Sequence, residues 1–420
     1  MNVWLITIGQ RLQDAEKTRT FLLARALIKR GHQVLLWTSA FDHSKKVFRQ
    51  EHGNIILLDK NFHVGFLKGI GYRKNVSLSR FFDHWIVSKR FEFVAKKIAQ
   101  PDLIAISLPD HQLACQVGKY ALANNIPTIV DIRDAWPDIF YNVTNNKFVK
   151  KILDPLIDIE NRKVSKLLRN ADSLVSMMKD LLDWGLAKAG RSKTDEDRVF
   201  FLSTSHRINR NSVDNDGIDR RIVEIVQKCQ GTMMCLFVGT FGTFYNPKLI
   251  VNAAHYLNEK GIATDKISFV IGGTGTYFEE VKELANSLDN VHFTGWLKSN
   301  ETEYLLTHAS VGIIPCTIPI KAFPNKAFTY MSGGLPLISS VSGELAAAID
   351  EYGFGLNYEA GNFEQLAKKI TTLSFNNTML QDMSHNSSAF FEEYLDCEST
   401  YSNYAEHIEL IAERRNVKVT

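Results

Sequence analysis

The chain has 420 residues, 45% of them hydrophobic and 23% charged, with a formal net charge of +3; it is too long for one ordinary domain and fits two of about 200 residues each. Its five cysteines (Cys115, Cys229, Cys235, Cys316 and Cys397) are scattered with no CxxC pair, so they read as reduced core residues rather than a disulfide frame or a zinc site. MNVWLITIG lacks the basic start of a signal peptide and no run approaches 18 uninterrupted apolar residues, so neither a leader nor a spanning helix is expected, and the cytoplasm is the expected compartment.

In chain order, VWLITIG is an apolar strand. Residues 17–30 have helical apolar spacing and stop at Gly31, a C-cap signal. QVLLWTS and residues 55–58 read as strands, and residues 81–99 as a basic, aromatic-rich helix. LIAISL (103–108) is a strand, residues 112–124 a helix, and PTIVDIRD (127–134) a strand running into a polar loop. Strands alternating with helices predict an α/β fold with a parallel sheet covered on both faces. Residues 191–219, polar apart from Phe200 to Leu202, read as the connection between domains. The second half repeats the pattern. CLFVGTFG and ISFVIGGTG are strands feeding glycine turns, with residues 247–260 and 277–287 as helices. VHFTGW, VGIIPC and LPLISS are strands, and residues 302–309, 326–331, 363–373 and 377–412 are helical.

Ligands of an open α/β sheet gather at the carboxyl ends of its strands, and three features fall there. The first is the pair of glycine turns, Gly239-Thr240-Phe241-Gly242-Thr243 and Gly272-Gly273-Thr274-Gly275. Glycine lets backbone approach a ligand closely, and a helix beginning beyond such a turn offers N–H groups to a phosphate. Neither turn is a G-x-G-x-x-G fingerprint or a Walker A motif, and tight turns without a ligand are the plain alternative. The second is Phe323-Pro324-Asn325-Lys326, opening a short helix that ends at Gly333-Gly334. A lysine in a first helical turn works against the helix dipole; it makes sense where an anion needs both the N–H groups and the ammonium. The third pairs Asp110 and His111 after one strand with Arg133 and Asp134 after the next. Carboxylates and a histidine at adjacent strand ends can bind a hydroxylated acceptor or move a proton. The alternative is that Asp110 and Asp138 cap loops and Trp136 packs in the core.

Charge is divided unevenly. Residues 1–210 carry 34 Lys and Arg against 21 Asp and Glu, and the remainder 15 against 25, so the first half is expected to meet an anionic surface. Residues 61–97 and 147–169 mix aromatic or apolar residues with basic ones, the ingredients of peripheral attachment to an anionic membrane. No base-reading motif accompanies them, so nucleic acid is not expected.

Taken as a set, FVGTFG, FVIGGTG, VHFTGWL, ASVGIIPC and FPNKAFTYMSGGLPLISS resemble the donor domain of the family 4 retaining glycosyltransferases of the GT-B fold. The last segment is similar to the P-N-K…E-Y…G-x-P-V pattern of members that build O-antigen and capsule. MNVWLITIG, KRGHQVLLWTS and IVDIRDAWPD resemble the first domain of the same members. The resemblance implies two Rossmann-like domains facing each other across a cleft: an acceptor-side domain over residues 1–200, a donor domain over 201–395, and a terminal helix, 396–420, returning to the first domain.

It further implies transfer of a sugar from a nucleotide sugar, a UDP-sugar, to a lipid-linked or saccharide acceptor in surface polysaccharide biosynthesis, with retention and with no cofactor or metal. Lys326, the N–H groups of the stretch Phe323-Pro324-Asn325-Lys326 other than proline, and the turns carrying Gly239, Thr240, Gly242, Thr243, Gly272, Gly273 and Gly275 would then hold the diphosphate. Trp296 and Leu297 would hold the base through backbone groups. Asp110, His111, Arg133 and Asp134 would shape the acceptor side, with Arg11 and Arg19 as further anion-binding candidates. Two departures stand out. Thr329 occupies the position where the family often has a ribose-clamping Glu, and Thr240, Thr243 and Asn246 stand where it usually supplies an Arg and a Lys. The Thr329 departure favours another reading, a non-catalytic nucleotide-sugar- or polysaccharide-binding member; a third, a nucleotide-sugar 2-epimerase of the same fold, is opposed by the segment PNKAFTYMSGG.

Overall fold

The computed structural model describes residues 1–10, 18–43, 45–49, 55–74, 77–138, 141, 147–203, 207–208, 215–262 and 265–419, without the side chains of 147–150, 152 and 415–419. The chain divides into two compact units, Met1–Thr204 with Cys397–Thr420, and Ser205–Asp396.

In the first unit the elements are β1 (Asn2–Ile6), α1 (Arg19–Lys29), β2 (Gln33–Ser39), β3 (Phe41–Asp42), β4 (Val47–Phe48), β5 (Ile55–Asp59), β6 (Phe62–Leu67) and α2 (Leu78–Ala95). They continue with β7 (Leu103–Leu108), α3 (His111–Ala123), β8 (Thr128–Ile132), α4 (Lys147–Asn170), β9 (Ser173–Ser176), α5 (Lys179–Ala189) and β10 (Arg198–Val199). The sheet runs β10-β9-β8-β7-β1-β2-β6-β5, parallel except where β5 meets β6. Side chains alternate faces along a strand. Trp4 and Ile6 of β1 therefore join Trp37, Phe91 and Tyr120 on one side, while Val3 and Leu5 join Phe21, Tyr404 and Ile408 on the other. Burial on both faces explains why the strands read as unbroken apolar runs.

The second unit holds α6 (Arg220–Lys228), β11 (Met233–Val238), α7 (Lys248–Glu259), β12 (Ile267–Gly272), α8 (Phe278–Leu284), β13 (Val291–Gly295) and α9 (Ser299–His308). After these come β14 (Val311–Ile314), α10 (Asn325–Ser332), β15 (Leu337–Ser339), α11 (Glu344–Tyr352), β16 (Gly355–Asn357), α12 (Phe363–Ser374) and α13 (Asn377–Phe390). Its sheet, β13-β12-β11-β14-β15-β16, has the doubly wound order, whose direction of winding reverses between β11 and β14. In the first unit the same reversal lies between β1 and β7. The long helix expected over residues 377–412 is broken: α13 gives way to a π turn over Phe391–Leu395, Asp396 turns to an extended ψ of 131°, and α14 (Cys397–Val419) begins. α14 packs on α1 in the first unit, burying Tyr401, Tyr404 and Ile408. The polar stretch at 191–219 also contributes more than a connection, since β10 within it pairs with β9.

Candidate functional site

In the second unit, β11 and β14 point their carboxyl ends at the reversal point, and α10 follows β14. Pro324, with its fixed φ, precedes the first turn of α10, which sets Lys326 against the end of β11. Its Nζ donates to Val238 O at 3.1 Å and lies 4.9 Å from the Phe237 ring centroid and 5.2 Å from that of Tyr245. The ammonium is thus half-buried over aromatic faces, where cation–π attraction replaces part of its hydration. It makes no ion pair among the described residues. Burial pushes its pKa down to about 8.

The glycine turns lean on each other. Gly239 N–H donates to Gly272 O (3.0 Å), Phe241 N–H to Thr274 O (3.0 Å) and Gly273 N–H to Gly295 O (2.7 Å). At Gly273, with φ +121°, a Cβ would lie 1.9 Å from Gly239 O, so that glycine is required by packing between the loops. Gly275 likewise abuts Phe241 O, and Gly272 the Leu297 side chain. Gly242 faces open space, and Thr240 and Thr243 beside it are exposed. Trp296 is exposed and Leu297 half-buried. The Phe323 ring is buried between Phe328 (5.1 Å) and Phe390 (6.5 Å), leaving its backbone, the part expected to meet a phosphate, as its means of reaching a ligand. Asn325 is exposed, and half-buried Thr329 donates its hydroxyl to Asn325 O at 3.1 Å.

In the first unit, Asp110 caps α3 through Leu113 N–H (2.8 Å) and holds His84 Nδ1 at 2.5 Å. Burial would raise its pKa, but the His84 charge and hydrogen bond, with His111 and the Leu113 N–H, carry it well below the usual carboxylate range. His111 is buried beside Trp136, with ring centroids 6.0 Å apart. Its Nε2 lies 3.4 Å from Glu160 Oε2, and its Nδ1 has no hydrogen-bond partner among the described residues.

Two cavities adjoin here. A polar one of about 470 Å³ opens at the β1/β7 reversal point, reaching Thr7, Gly9, Tyr72, Arg80, Asp110 and Arg133. An apolar one of about 490 Å³ lies between α2 and α4, and both include Arg80, His84 and Asp110.

Arg19 is no anion site. Its Nε and Nη2 grip buried Asp131 at 2.9 and 3.1 Å, and its Nη1 donates to Phe200 O and Phe201 O, so the guanidinium is consumed in the core. Arg133 also bonds Asp131 (3.0 Å) but stays half-exposed at the polar cavity. Asp134 lines neither cavity; its carboxylate accepts from its neighbour Ala135 N–H at 2.9 Å. Arg11 lies outside the described residues. Asp138 is held by Trp184 and Lys188. His84, Arg80 and Glu160, which the sequence did not single out, belong to the site.

The architecture is that of the GT-B glycosyltransferases, an α/β fold of two Rossmann-like units. Residues 220–390 match the family described as Glycosyl transferases group 1. No curated protein matches the chain in sequence. Among solved structures, sucrose-phosphate synthase from Thermosynechococcus elongatus aligns over 100% of both chains with TM-score 0.67 and 15% identity. HepE of Anabaena, solved in complex with UDP, aligns over 97% of this chain and 100% of its own with TM-score 0.66 and 13% identity. WaaG, a glycosyltransferase involved in lipopolysaccharide biosynthesis, aligns over 97% and 99% with TM-score 0.59 and 13% identity.

Proposed function

We propose that the chain is a glycosyltransferase of the family 4 type, taking a sugar from a UDP-sugar and passing it, with retention, to a lipid-linked or saccharide acceptor of surface polysaccharide biosynthesis. The observation that carries this reading is Lys326, a half-buried ammonium with no carboxylate partner among the described residues, set at the β11/β14 reversal point of the matched domain. A departing diphosphate supplies the missing anion. Preorganised donors aimed where charge develops are the largest catalytic term in such sites. In this reading Lys326 and the open backbone around Gly242 neutralise the leaving group without a metal, and no cofactor is needed. HepE has been solved with UDP and with UDP-glucose, which supports uracil as the donor's base.

On the acceptor side, Arg133, His111 and Arg80 orient the nucleophilic hydroxyl, with Asp110 fixing His84 and the start of α3. The first unit docks on the anionic inner face of the membrane, a reading supported by exposed Phe82, Trp85 and Phe93 on the same helix as Lys89 and Arg90, with exposed Lys96 and Lys97 just beyond its end.

The test is UDP release by the purified chain from a panel of UDP-sugars, with donors first ranked by thermal shift. Slow release from one donor without acceptor, abolished in Lys326→Ala, is the expected result. Failure of UDP and every UDP-sugar to bind sinks the reading. Thr329, whose hydroxyl is turned onto its own helix, favours a second reading, a member that binds nucleotide sugar without transfer. That reading predicts UDP binding with no release from any donor.

A further inference from the structure

We infer that the donor sugar carries a carboxylate, as a UDP-linked hexuronic acid does, and that Lys321 is the residue that selects it. The donor role of the second unit rests on the glycosyltransferase reading. Ligands of a doubly wound sheet lie at the carboxyl ends of its strands. In the second unit the loops at those ends are residues 239–247 after β11, 273–277 after β12, 296–298 after β13, 315–324 after β14 and 340–343 after β15, and they contain no Asp or Glu. In the first unit the loops after β7 and β8 hold Asp110, Asp134 and Asp138. The acids next to the bare loops have other places. Glu280 pairs with Lys248, and Glu301 accepts from Lys298 N–H at the start of α9. Glu279 and Glu344 sit in the first turns of α8 and α11, where the helix dipole favours them. Beyond the edge strand β16, Glu359 accepts from Gln365 Nε2 at 3.2 Å.

Two lysines stand in this acid-free setting: residues 304–343 hold Lys321 and Lys326 and no Asp or Glu. Lys326 is half-buried against the end of β11 and serves the diphosphate. Lys321 is exposed and has neither an ion pair nor a side-chain hydrogen bond among the described residues. Its backbone is nonetheless fixed. Ser342 N–H donates to Ile320 O (2.8 Å) and Ala322 N–H to Ser342 O (3.3 Å), which sets Lys321 beside Ser342 in a parallel bridge. Thr317 N–H donates to Phe244 O at 3.1 Å and ties the start of the same loop to the first glycine turn. The buried Phe323 ring anchors its end. A cation is thus held on the rim formed by the loops after β11, β14 and β15, the rim that carries Lys326. A neutral hexose is a poor match to such a rim. Its hydroxyls donate as well as accept, and carboxylates, the strongest acceptors for them, are missing from these loops. A uronate brings an acceptor-only group, and one negative charge more than the hexose, to loops that offer donors and positive potential.

The test is calorimetry on the full chain with UDP and two matched donor pairs, UDP-glucuronic acid with UDP-glucose and UDP-galacturonic acid with UDP-galactose. In at least one pair the acid should bind at least about tenfold more tightly than its neutral parent, the equivalent of one charge-assisted contact, and added salt should narrow the gap. Lys321→Met alters an exposed side chain and should leave the melting temperature and UDP affinity unchanged while erasing the preference. Lys321→Glu should reverse it, because like charges then meet. Neutral donors bound as tightly as their acids in both pairs, or a preference that survives Lys321→Met, overturn the inference. So does a Lys321→Met loss that is equal for UDP and for the uronate donor, which would assign this lysine to the diphosphate. UDP binding without a uronate preference removes this inference and leaves glycosyl transfer standing. Failure of UDP and all four donors to bind removes both.

Discussion

Lys326 Nζ occupies the space a side chain at Gly239 would need: a Cβ built on Gly239 would lie 1.7 Å from it. The first glycine turn is therefore bare so that an ammonium can stand against the end of β11, and turn and lysine form one device.

Lys326→Ala should cut donor turnover about 30- to 100-fold, the equivalent of losing one charge-assisted contact worth about 2–3 kcal/mol in the transition state. The lysine is half-buried over Phe237 and Tyr245, so a modest fall in melting temperature should accompany the loss. Full turnover in the variant would mean that the diphosphate sits elsewhere.

Gly239→Ala should lower UDP affinity by displacing the same ammonium, and should cost about 1–3 kcal/mol of stability through its backbone conformation, with φ +157° in the native chain. In a Lys326→Ala background the same substitution should cost much less affinity, because contacting residues are not additive. A double-mutant cycle by calorimetry decides; additive losses would show that the two residues act independently.

The pH response follows from burial, which pushes Lys326 from 10.5 down to about 8. Between these values the unfolded chain binds the proton and the folded chain does not, so this group makes stability rise with pH across that window. Lys326→Met removes the burden of a buried ammonium. It should therefore be more stable than the parent below pH 8, with the gap closing as pH approaches 10.5. UDP affinity of the parent should fall as pH rises through about 8. Melting curves and titrations across pH 6.5–10 check both; a gap independent of pH would show that the lysine is not titrating in this range.

Lys326 was legible because its signal is local: a cation at a helix start, after a strand, contradicts the dipole. The strands were legible for the same reason, each being a short apolar run with a glycine or polar residue after it, whereas the strand order that sets both reversal points was not. Gly273 was read as a ligand-facing residue and Phe323 as part of the phosphate cradle. Nothing in their local sequence reveals that Gly273 makes room for Gly239 O or that the Phe323 ring joins Phe390. Arg19 at a strand end looked like an anion site until the sheet brought Asp131 to it. The His84–Asp110 and His111–Glu160 pairs join residues far apart in the chain through helix packing, which no spacing encodes. Apolar spacing continues through Asp396 and hid the break there, where the family resemblance, not the spacing, set the start of the terminal helix.

Thr329→Glu tests the departure from the family pattern. Thr329 is half-buried and bonded only within α10, so a carboxylate there can reach solvent and the several-kcal/mol penalty of a buried unpaired charge is not expected. If the position faces the donor ribose, the carboxylate accepts hydrogen bonds from its hydroxyls and UDP binds more tightly. Calorimetry with UDP and a melting curve are read together; unchanged affinity in a stable variant places Thr329 away from the donor.

Membrane attachment of the first unit turns on whether the aromatic residues of 61–97 are core. They divide: Phe91 is fully buried, whereas Phe81, Phe82, Trp85 and Phe93 are 42%, 54%, 50% and 63% exposed. Those four lie on α2 with exposed Lys89 and Arg90, exposed Lys96 and Lys97 follow directly after it, and Leu156 and Ile159 of α4 are exposed as well. No helix among the described residues is long and apolar enough to cross a membrane, so attachment would be interfacial. Each basic residue near an anionic surface contributes about 1 kcal/mol, and aromatic side chains entering the interface add to it. Four or five such residues suffice for reversible binding. Of the three lysines at the start of α4, Lys151 is exposed, and the side chains of Lys147 and Lys150 lie outside the described residues. In liposome sedimentation, the chain should pellet with anionic vesicles and not with neutral ones, and added salt should release it as screening shortens the Debye length. Phe82→Ser with Trp85→Ser should weaken pelleting at every salt concentration, because insertion is apolar. Neutralising Lys147, Lys150 and Lys151 should weaken it chiefly at low salt. UDP binding, proposed for the second unit, should be unchanged in both variants. Equal recovery in the supernatant with neutral and anionic vesicles at low salt would show that the exposed face of α2 serves something other than a membrane.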